Sequence, residues 1–346
     1  MARVLFRCDA TSATGFGHLG RCLGLAEGFR NKAVDVSFLG HFTEDARSLL
    51  DEAAFDYSQI GCSAWTEDDV RKVSEHIDKA LIGIILDSYE FSTCWLKALA
   101  ESGVNLGIID DFAALESYRP FKAVLNFRFG VQSLLTYSGI EAAAVAMGPT
   151  YFCPREALVK LRAQKVRNLG APKNILIVLG GGDLWSQAMR IYNALREINS
   201  MLQLRVLVND SHNQSAKLEV DPGDFPKFPA KMEEHYGWAD ACICGGGVVK
   251  YECAYLGLPV AMFSQTKGQQ DDSDIFCEAQ LGWDLTPHGD QRQWKSRLRT
   301  FVEDCHVSYP NRVATVFPDD SVYRATDHFL TRWGYQTKAF SEQTPQ

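Results

Sequence analysis

The chain has 346 residues, 46% of them hydrophobic and 23% charged, with a formal net charge of −8. That length exceeds one ordinary core and suits two domains of about 100–200 residues each; the balance is a normal globular one, so disorder is not the leading class. An acidic protein is a poor general partner for DNA or RNA, whose phosphates need a basic surface, and no apolar run reaches the roughly 18 residues of a membrane span.

In chain order, strands are expected at Arg3–Asp9, Val34–Gly40, Leu81–Asp87, Asn105–Asp110 and Ala123–Phe127. After a break they resume at Asn174–Gly180, Leu204–Asn209, Ala239–Gly245 and Val260–Phe263. Many are continuous Val/Ile/Leu runs, the pattern of parallel strands covered on both faces. Amphipathic segments lie between them; Leu19, Cys22, Leu23, Ala26 and Phe29, for example, share one helical face. Repeated β-α units predict a doubly wound α/β fold. The interruption at Gly148–Lys173, with Pro149, Pro154 and Pro172 and a basic helix-like piece at Arg155–Arg167, marks a boundary between domains at 1–150 and 151–346. Both halves open with a strand running into glycines, as two copies of one architecture would. The amphipathic stretch Asp320–Trp333 is expected to pack back on the first domain, and the polar tail 337–346 to be loose.

The N-terminal segment lacks a signal-peptide core. Five of the ten cysteines, Cys8, Cys22, Cys242, Cys244 and Cys253, sit in apolar runs. Cys242 and Cys244 are too close for the usual zinc or redox spacing. Unpaired buried thiols fit a reducing cytoplasm. The expectation is a cytoplasmic monomer or weak oligomer with no metal and no cofactor.

Five motifs can carry chemistry. The first runs from Arg7 to Arg21 and contains Asp9, Gly15, Gly17, His18 and Gly20. A strand ends, a flexible loop follows, and a helix begins near His18, where free backbone N–H groups can hold an anion. The positive helix end disfavours an imidazolium, which leaves His18 neutral and suited to act as a general base. Arg21 lies one turn on. Gly15-x-Gly17-x-x-Gly20 matches the dinucleotide fingerprint literally. However, several loop residues separate it from its strand, and the second strand ends Phe38-Leu39-Gly40 without an acid, which argues against a nicotinamide or flavin enzyme. The second and third motifs, Gly180-Gly181-Gly182-Asp183 and Gly245-Gly246-Gly247-Val248, present bare N–H groups at strand ends, and together they suggest a diphosphate between them. Glu252, one turn on, could bind ribose hydroxyls. The fourth motif places Gln269 and Gln270 at a helix start, where amides can read sugar hydroxyls or acetamido groups. The fifth puts Asp87, Ser88 and Tyr89, with Asp110 and Asp111, at strand ends; for Ser88 and Asp111, helix capping is the expected role.

Together these residues resemble the UDP-2,4-diacetamido-2,4,6-trideoxy-β-L-altropyranose hydrolases of pseudaminic acid biosynthesis, within the wider MurG-like, GT-B glycosyltransferase group. The match runs from Arg7-Cys8-Asp9-Ala10 and Gly15-Phe16-Gly17-His18 through Asp87-Ser88-Tyr89, Ile109-Asp110-Asp111, Leu125-Asn126, Gly148-Pro149 with Tyr151 and Arg155, and Gly180–Asp183. It continues to Met232, Trp238-Ala239-Asp240, Gly245–Gly247, Glu252 and Leu256–Pro259. The resemblance implies two Rossmann-like doubly wound domains facing across a cleft. It also implies hydrolysis of a UDP-linked sugar at the anomeric carbon, with His18 activating water and Tyr89 placing substrate or water. Glu252 would bind the ribose and Gln269 or Gln270 the sugar. The alternative is a glycosyltransferase of the same fold that moves the sugar to a hydroxyl or amine. A catalytically inactive sugar-nucleotide sensor would have no need of His18. Two departures stand out: Val248 replaces a usual hydroxyl residue after the glycines, and residues 318–324 replace a glycine-rich segment. Lys250 could supply compensating charge or face solvent.

Overall fold

A computed structural model describes residues 1–11, 13–164, 170–180, 184–208, 222–226, 231–287, 291–309 and 316–336. The first strands form where the apolar runs lie. β1 (Arg3–Cys8) pairs in parallel with β2 (Asp35–Gly40) and β4 (Leu81–Asp87). Val4 and Phe6 point to one buried cluster and Leu5 to another, so both faces of β1 are covered and no polar alternation is possible. With β3 (Asp56–Gln59), β5 (Leu106–Ile109), β6 (Phe121–Asn126) and β7 (Val145–Met147), they form a seven-stranded parallel sheet of order β3-β2-β1-β4-β5-β6-β7.

The second sheet holds β8 (Asn174–Gly180), β9 (Gln203–Val208), β10 (Ala241–Cys244), β11 (Val260–Met262) and β12 (Trp283–Asp284), in the order β12-β11-β10-β8-β9. It too is parallel. In both sheets the first strand lies inside the order. The connections therefore reverse beside it, and the reversal opens a crevice at the carboxyl ends of the strands.

The helices in chain order are α1 (Gly17–Asn31), α2 (Glu44–Glu52), α3 (Glu67–Ser74), α4 (Thr93–Ala100), α5 (Glu156–Gln164), α6 (Trp185–Ile198), α7 (Met232–Trp238), α8 (Val249–Tyr255), α9 (Lys267–Glu278), α10 (Gln291–Ser308) and α11 (Ser321–Arg332). α1 packs its buried face, Leu19, Cys22, Leu23, Ala26 and Phe29, into the cluster that holds Val4 and Phe6. Its small residues permit close approach on the other side. A Cβ at Gly24 would fall 2.1 Å from the Cys153 carbonyl oxygen, and one at Gly28 would fall 2.1 Å from Thr326 Oγ1. α11 thus lies against α1, with Phe329 and Trp333 tilted on or stacked over Phe29 at 6.3 and 6.2 Å. Trp333 fills the space above Gly83, so the last helix is seated on the first sheet.

Aromatic contacts bridge the two sheets. Phe127 packs against Phe152 at 5.3 Å and against Tyr251 at 5.6 Å. Burial of each such ring contributes about 1.5–3 kcal/mol. No helix among the described residues is long and apolar enough to cross a membrane.

Candidate active site

β1 and β4 are neighbours in register, with Cys8 beside Asp87, so the loop leaving β1 is delivered next to the end of β4. After β1 the chain turns back on itself, with Gly15 N–H donating to the Thr11 carbonyl at 2.9 Å. Gly15 takes φ +70°, a value that glycine adopts without a Cβ penalty. α1 then starts at Gly17 and sets His18 in its first turn, directly over Asp87.

His18 Nδ1 lies 2.5 Å from Asp87 Oδ1. Arg21 grips the same carboxylate with Nε and Nη2, both at 2.6 Å, and reaches Asp111 with Nη1 at 2.7 Å. Burial alone would raise the Asp87 carboxyl, but Arg21 and then His18 outweigh it and hold it well below the usual carboxylate range. Asp111 is also buried and is lowered by Arg21 and by the Tyr89 hydroxyl. An ionised carboxylate only accepts hydrogen bonds. The hydrogen between His18 and Asp87 therefore sits on Nδ1, which leaves Nε2 as the ring nitrogen that can exchange a proton with the cavity. Among the described residues Nε2 has no protein partner, and His18 lines the cavity. This is the arrangement in which a carboxylate fixes the tautomer of a catalytic imidazole. Besides the helix end expected from the sequence, the ring has this carboxylate as its direct partner.

Tyr89 stands over His18 with ring centroids 4.8 Å apart, and its hydroxyl donates to Asp111 Oδ2. The ring is 54% exposed at the cleft mouth. Burial of the hydroxyl, followed by the Asp111 charge, pushes the phenol well above its usual range, so it remains a donor. Its hydroxyl is thus spent on Asp111, and the ring is what the cavity meets.

The opposite wall comes from the second sheet. Gly246, Gly247 and Val248 follow β10, and Thr266, Gly268 and Gln269 open α9, where Thr266 Oγ1 accepts from Gln269 N–H at 3.2 Å. The cavity between the walls holds about 380 Å³.

Of the residues expected from sequence, Gly17, His18, Arg21, Tyr89, Gly246, Gly247, Val248 and Gln269 line this cavity. Asp87 stands directly behind His18. Gly15 and Gly180 sit in the turns at the ends of β1 and β8, and Gly245 packs on Leu179, where a Cβ would fall 2.4 Å from its carbonyl oxygen. Gly181, Gly182 and Asp183 lie outside the described residues, as does Asn209 at the end of its expected strand.

Five expectations are corrected. Asp9 is not in the cavity wall: it is buried, paired with Arg7 at 2.6 Å and accepting from His41 N–H at 2.8 Å. Glu252 does not line the cavity either. Its Oε2 accepts from the Tyr236 hydroxyl at 2.6 Å, and burial raises its carboxyl; a ribose there would have to share or displace that hydroxyl. Gln270 turns away to Asp274, with Nε2 donating at 2.6 Å. Lys250 faces neither solvent nor cavity, because its buried ammonium binds Asp272 at 2.6 Å and the Gly246 carbonyl at 2.5 Å. Ser88 and Asp111 do not cap helices. Ser88 Oγ accepts from Glu90 N–H in a local turn, Ser92 caps α4, and Asp111 joins Arg21 and Tyr89 in the site.

Among the lining residues not singled out from sequence are Phe112, Phe127, Arg128 and Asp272. The signal for Arg128 was present, since it follows the apolar strand end Leu125-Asn126-Phe127 as His18 follows β1. Asp272 lies in a polar helix, where nothing local distinguishes it. Among the described residues no group of three or more His, Cys, Asp or Glu could hold a metal ion.

No family model matches the chain. The spore coat polysaccharide biosynthesis protein SpsG of Bacillus subtilis (strain 168) is 22% identical over 286 residues, covering 80% of this chain and 81% of that protein. The co-structure of S. aureus MnaA with UDP matches with a TM-score of 0.68 at 12% identity, covering 99% of this chain and all (100%) of that one. The crystal structure of Acinetobacter baumannii MurG matches with a TM-score of 0.54 at 15% identity, covering 94% of this chain and 100% of that one. The chain has the α/β GT-B fold, with two parallel doubly wound sheets and a MurG-like architecture.

Proposed function

We propose that this protein is a GT-B enzyme of polysaccharide biosynthesis that moves a sugar from a nucleotide, UDP in the first instance, to a hydroxyl or amine acceptor. The observation that carries the reading is the His18–Asp87 pair: an ionised carboxylate fixes Nδ1–H and leaves Nε2 facing the cavity between the sheets. In the step proposed, the acceptor oxygen or nitrogen attacks the anomeric carbon and its proton passes to Nε2. The bond between that carbon and the diphosphate oxygen breaks, the electron pair leaves with the nucleoside diphosphate, and the configuration inverts. Residues 1–150 then carry the base and 151–346 the nucleotide. Support for a role in polysaccharide biosynthesis comes from the likeness to SpsG, and support for transfer from the GT-B glycosyltransferase fold. Support for a UDP donor comes from the fold likeness to MnaA, whose structure contains UDP.

The narrower reading is hydrolysis of a UDP-linked diacetamido-trideoxy sugar, for pseudaminic-type acid biosynthesis, with water as the nucleophile. It is supported by the assembly of His18 and Arg21, from the most specific motif of the resemblance, with Asp87 and Tyr89. Incubation with UDP-linked acetamido sugars in ¹⁸O-labelled water, with and without alcohol and amine acceptors, separates the two. Transfer predicts UDP release that depends on acceptor, with an unlabelled glycoside. Labelled free sugar formed without acceptor makes the enzyme a hydrolase. Label in UDP would place the attack at phosphorus and overturn both.

A further inference from the structure

Three buried cations among the described residues surround the cavity. Arg21 is fully occupied by Asp87 and Asp111. Lys250 is completely buried and committed to Asp272 and the Gly246 carbonyl. Arg128, which follows β6, differs from both. It is only 8% exposed, its Nε donates to Asp272 Oδ1 at 2.9 Å, and its Nη1 donates to the Asp111 carbonyl. Its Nη2 has no partner among the described residues and belongs to a side chain that lines the cavity. A guanidinium fixed at two of its three nitrogens and open at the third is a preorganised anion donor.

The residues that fix it also tie it to the glycine turn. Asp272 accepts from Arg128 and from the Tyr251 hydroxyl and pairs with Lys250, and Lys250 in turn holds the Gly246 carbonyl. One carboxylate therefore registers the cation of the first sheet against the Gly246–Gly247 turn of the second. Val248, which follows that turn and lines the cavity, brings no hydroxyl for an anion to meet. We propose that Arg128 is the residue that binds the diphosphate of the donor, its free Nη2 facing the anion across the cavity from the Gly246–Gly247 turn. The inference rests on the nucleotide-sugar reading and names the side chain that neutralises the leaving group in it.

The test compares three probes, uridine, UDP and inorganic pyrophosphate, titrated calorimetrically against the wild type, Arg128→Met and Arg128→Lys. The expected result for Arg128→Met is unchanged uridine affinity with UDP and pyrophosphate each weakened about 10- to 100-fold, the scale of one charge-assisted hydrogen-bonded contact. Arg128→Lys keeps the ion pair with Asp272 but loses the fork. It is expected to lose part of the UDP-over-uridine preference, and it serves as the probe if Arg128→Met does not fold. Equal weakening of uridine and UDP would show a merely structural role, and an unchanged UDP-to-uridine ratio in both variants would overturn the assignment outright. Failure of the donor reading looks different. If the wild type binds pyrophosphate through Arg128 but no better as UDP, the assignment of Arg128 stands and the nucleotide falls. If the wild type binds neither, both fall.

Discussion

Replacement of Asp87 by asparagine should trap His18 in the wrong tautomer. The carboxylate now accepts from His18 Nδ1 at 2.5 Å and from Arg21 Nε and Nη2 at 2.6 Å each. An amide keeps one oxygen and gains one NH₂. With the oxygen kept on Arg21 Nε, the NH₂ faces His18 Nδ1 and Arg21 Nη2; Nδ1 becomes the acceptor, for the amide and for Arg21 Nη2 3.4 Å away, and the hydrogen moves to Nε2. The cavity then meets a donor where it needs a base. With the amide turned round, the NH₂ meets the Arg21 Nε–H and a buried donor pair is left unsatisfied. The first arrangement costs less and abolishes proton acceptance. Loss of a general base lowers turnover about 10²- to 10⁴-fold, and the equivalent tautomer trap in the serine-protease triad costs about 10⁴. Stability falls as well. Removing one partner of a buried ion pair costs about 3–5 kcal/mol, an upper bound here because Arg21 retains Asp111. Turnover is read as nucleotide release, alongside the affinity for UDP and the melting temperature. Because Asp87 acts through His18, the double variant Asp87→Asn/His18→Asn should be no slower than His18→Asn alone. Additive losses, or near-normal turnover with asparagine at 87, would refute the reasoning.

Gly28→Ala should lower the melting temperature by several degrees, because its Cβ would meet Thr326 Oγ1 at 2.1 Å and push α11 off α1; such overpacking costs about 1–3 kcal/mol. The stability gap between wild type and Asp111→Asn should shrink on acidification in urea titrations. The folded Asp111 carboxyl lies below its unfolded value, so its contribution is full above about pH 4 and drains as the pH falls through the folded value; a gap that widens in acid would contradict the ion pairing. Val248→Ser should restore a hydroxyl to the cavity wall and tighten UDP binding about 2- to 10-fold, the worth of one hydrogen bond, as measured by calorimetry.

Much of the architecture was legible because parallel strands buried on both faces leave uninterrupted apolar runs. Arg3–Cys8, Leu81–Asp87 and Asn174–Gly180 are such runs. The strands that escaped notice are short or polar: Asp56–Gln59 has a largely exposed edge, and Val145–Met147 and Trp283–Asp284 hold three and two residues. Their pairing comes from the neighbouring strand rather than from their own pattern. At the site, residues that follow a strand into a glycine turn announced themselves, as His18, Gly246 and Gly247 did. Charges that meet only in three dimensions did not. Arg128 and Asp272 are 144 positions apart, and Lys250 reads from sequence as either a compensating charge or a surface lysine, although its ammonium is sealed against Asp272. Asp111 shows the same limit, because the short sequence Asp110-Asp111-Phe112 suits a cap equally well and only the arrival of Arg21 from α1 decides its role.

The central claim is that Nε2 of His18 takes the proton of the nucleophile that attacks the anomeric carbon. The most direct measurement is single-turnover UDP release from a UDP-sugar by His18→Asn, with the acceptor that supports the wild type present and the UDP dissociation constant determined on the same preparation. The account predicts an unchanged dissociation constant and a rate reduced at least about 10²-fold. A rate near that of the wild type would contradict it.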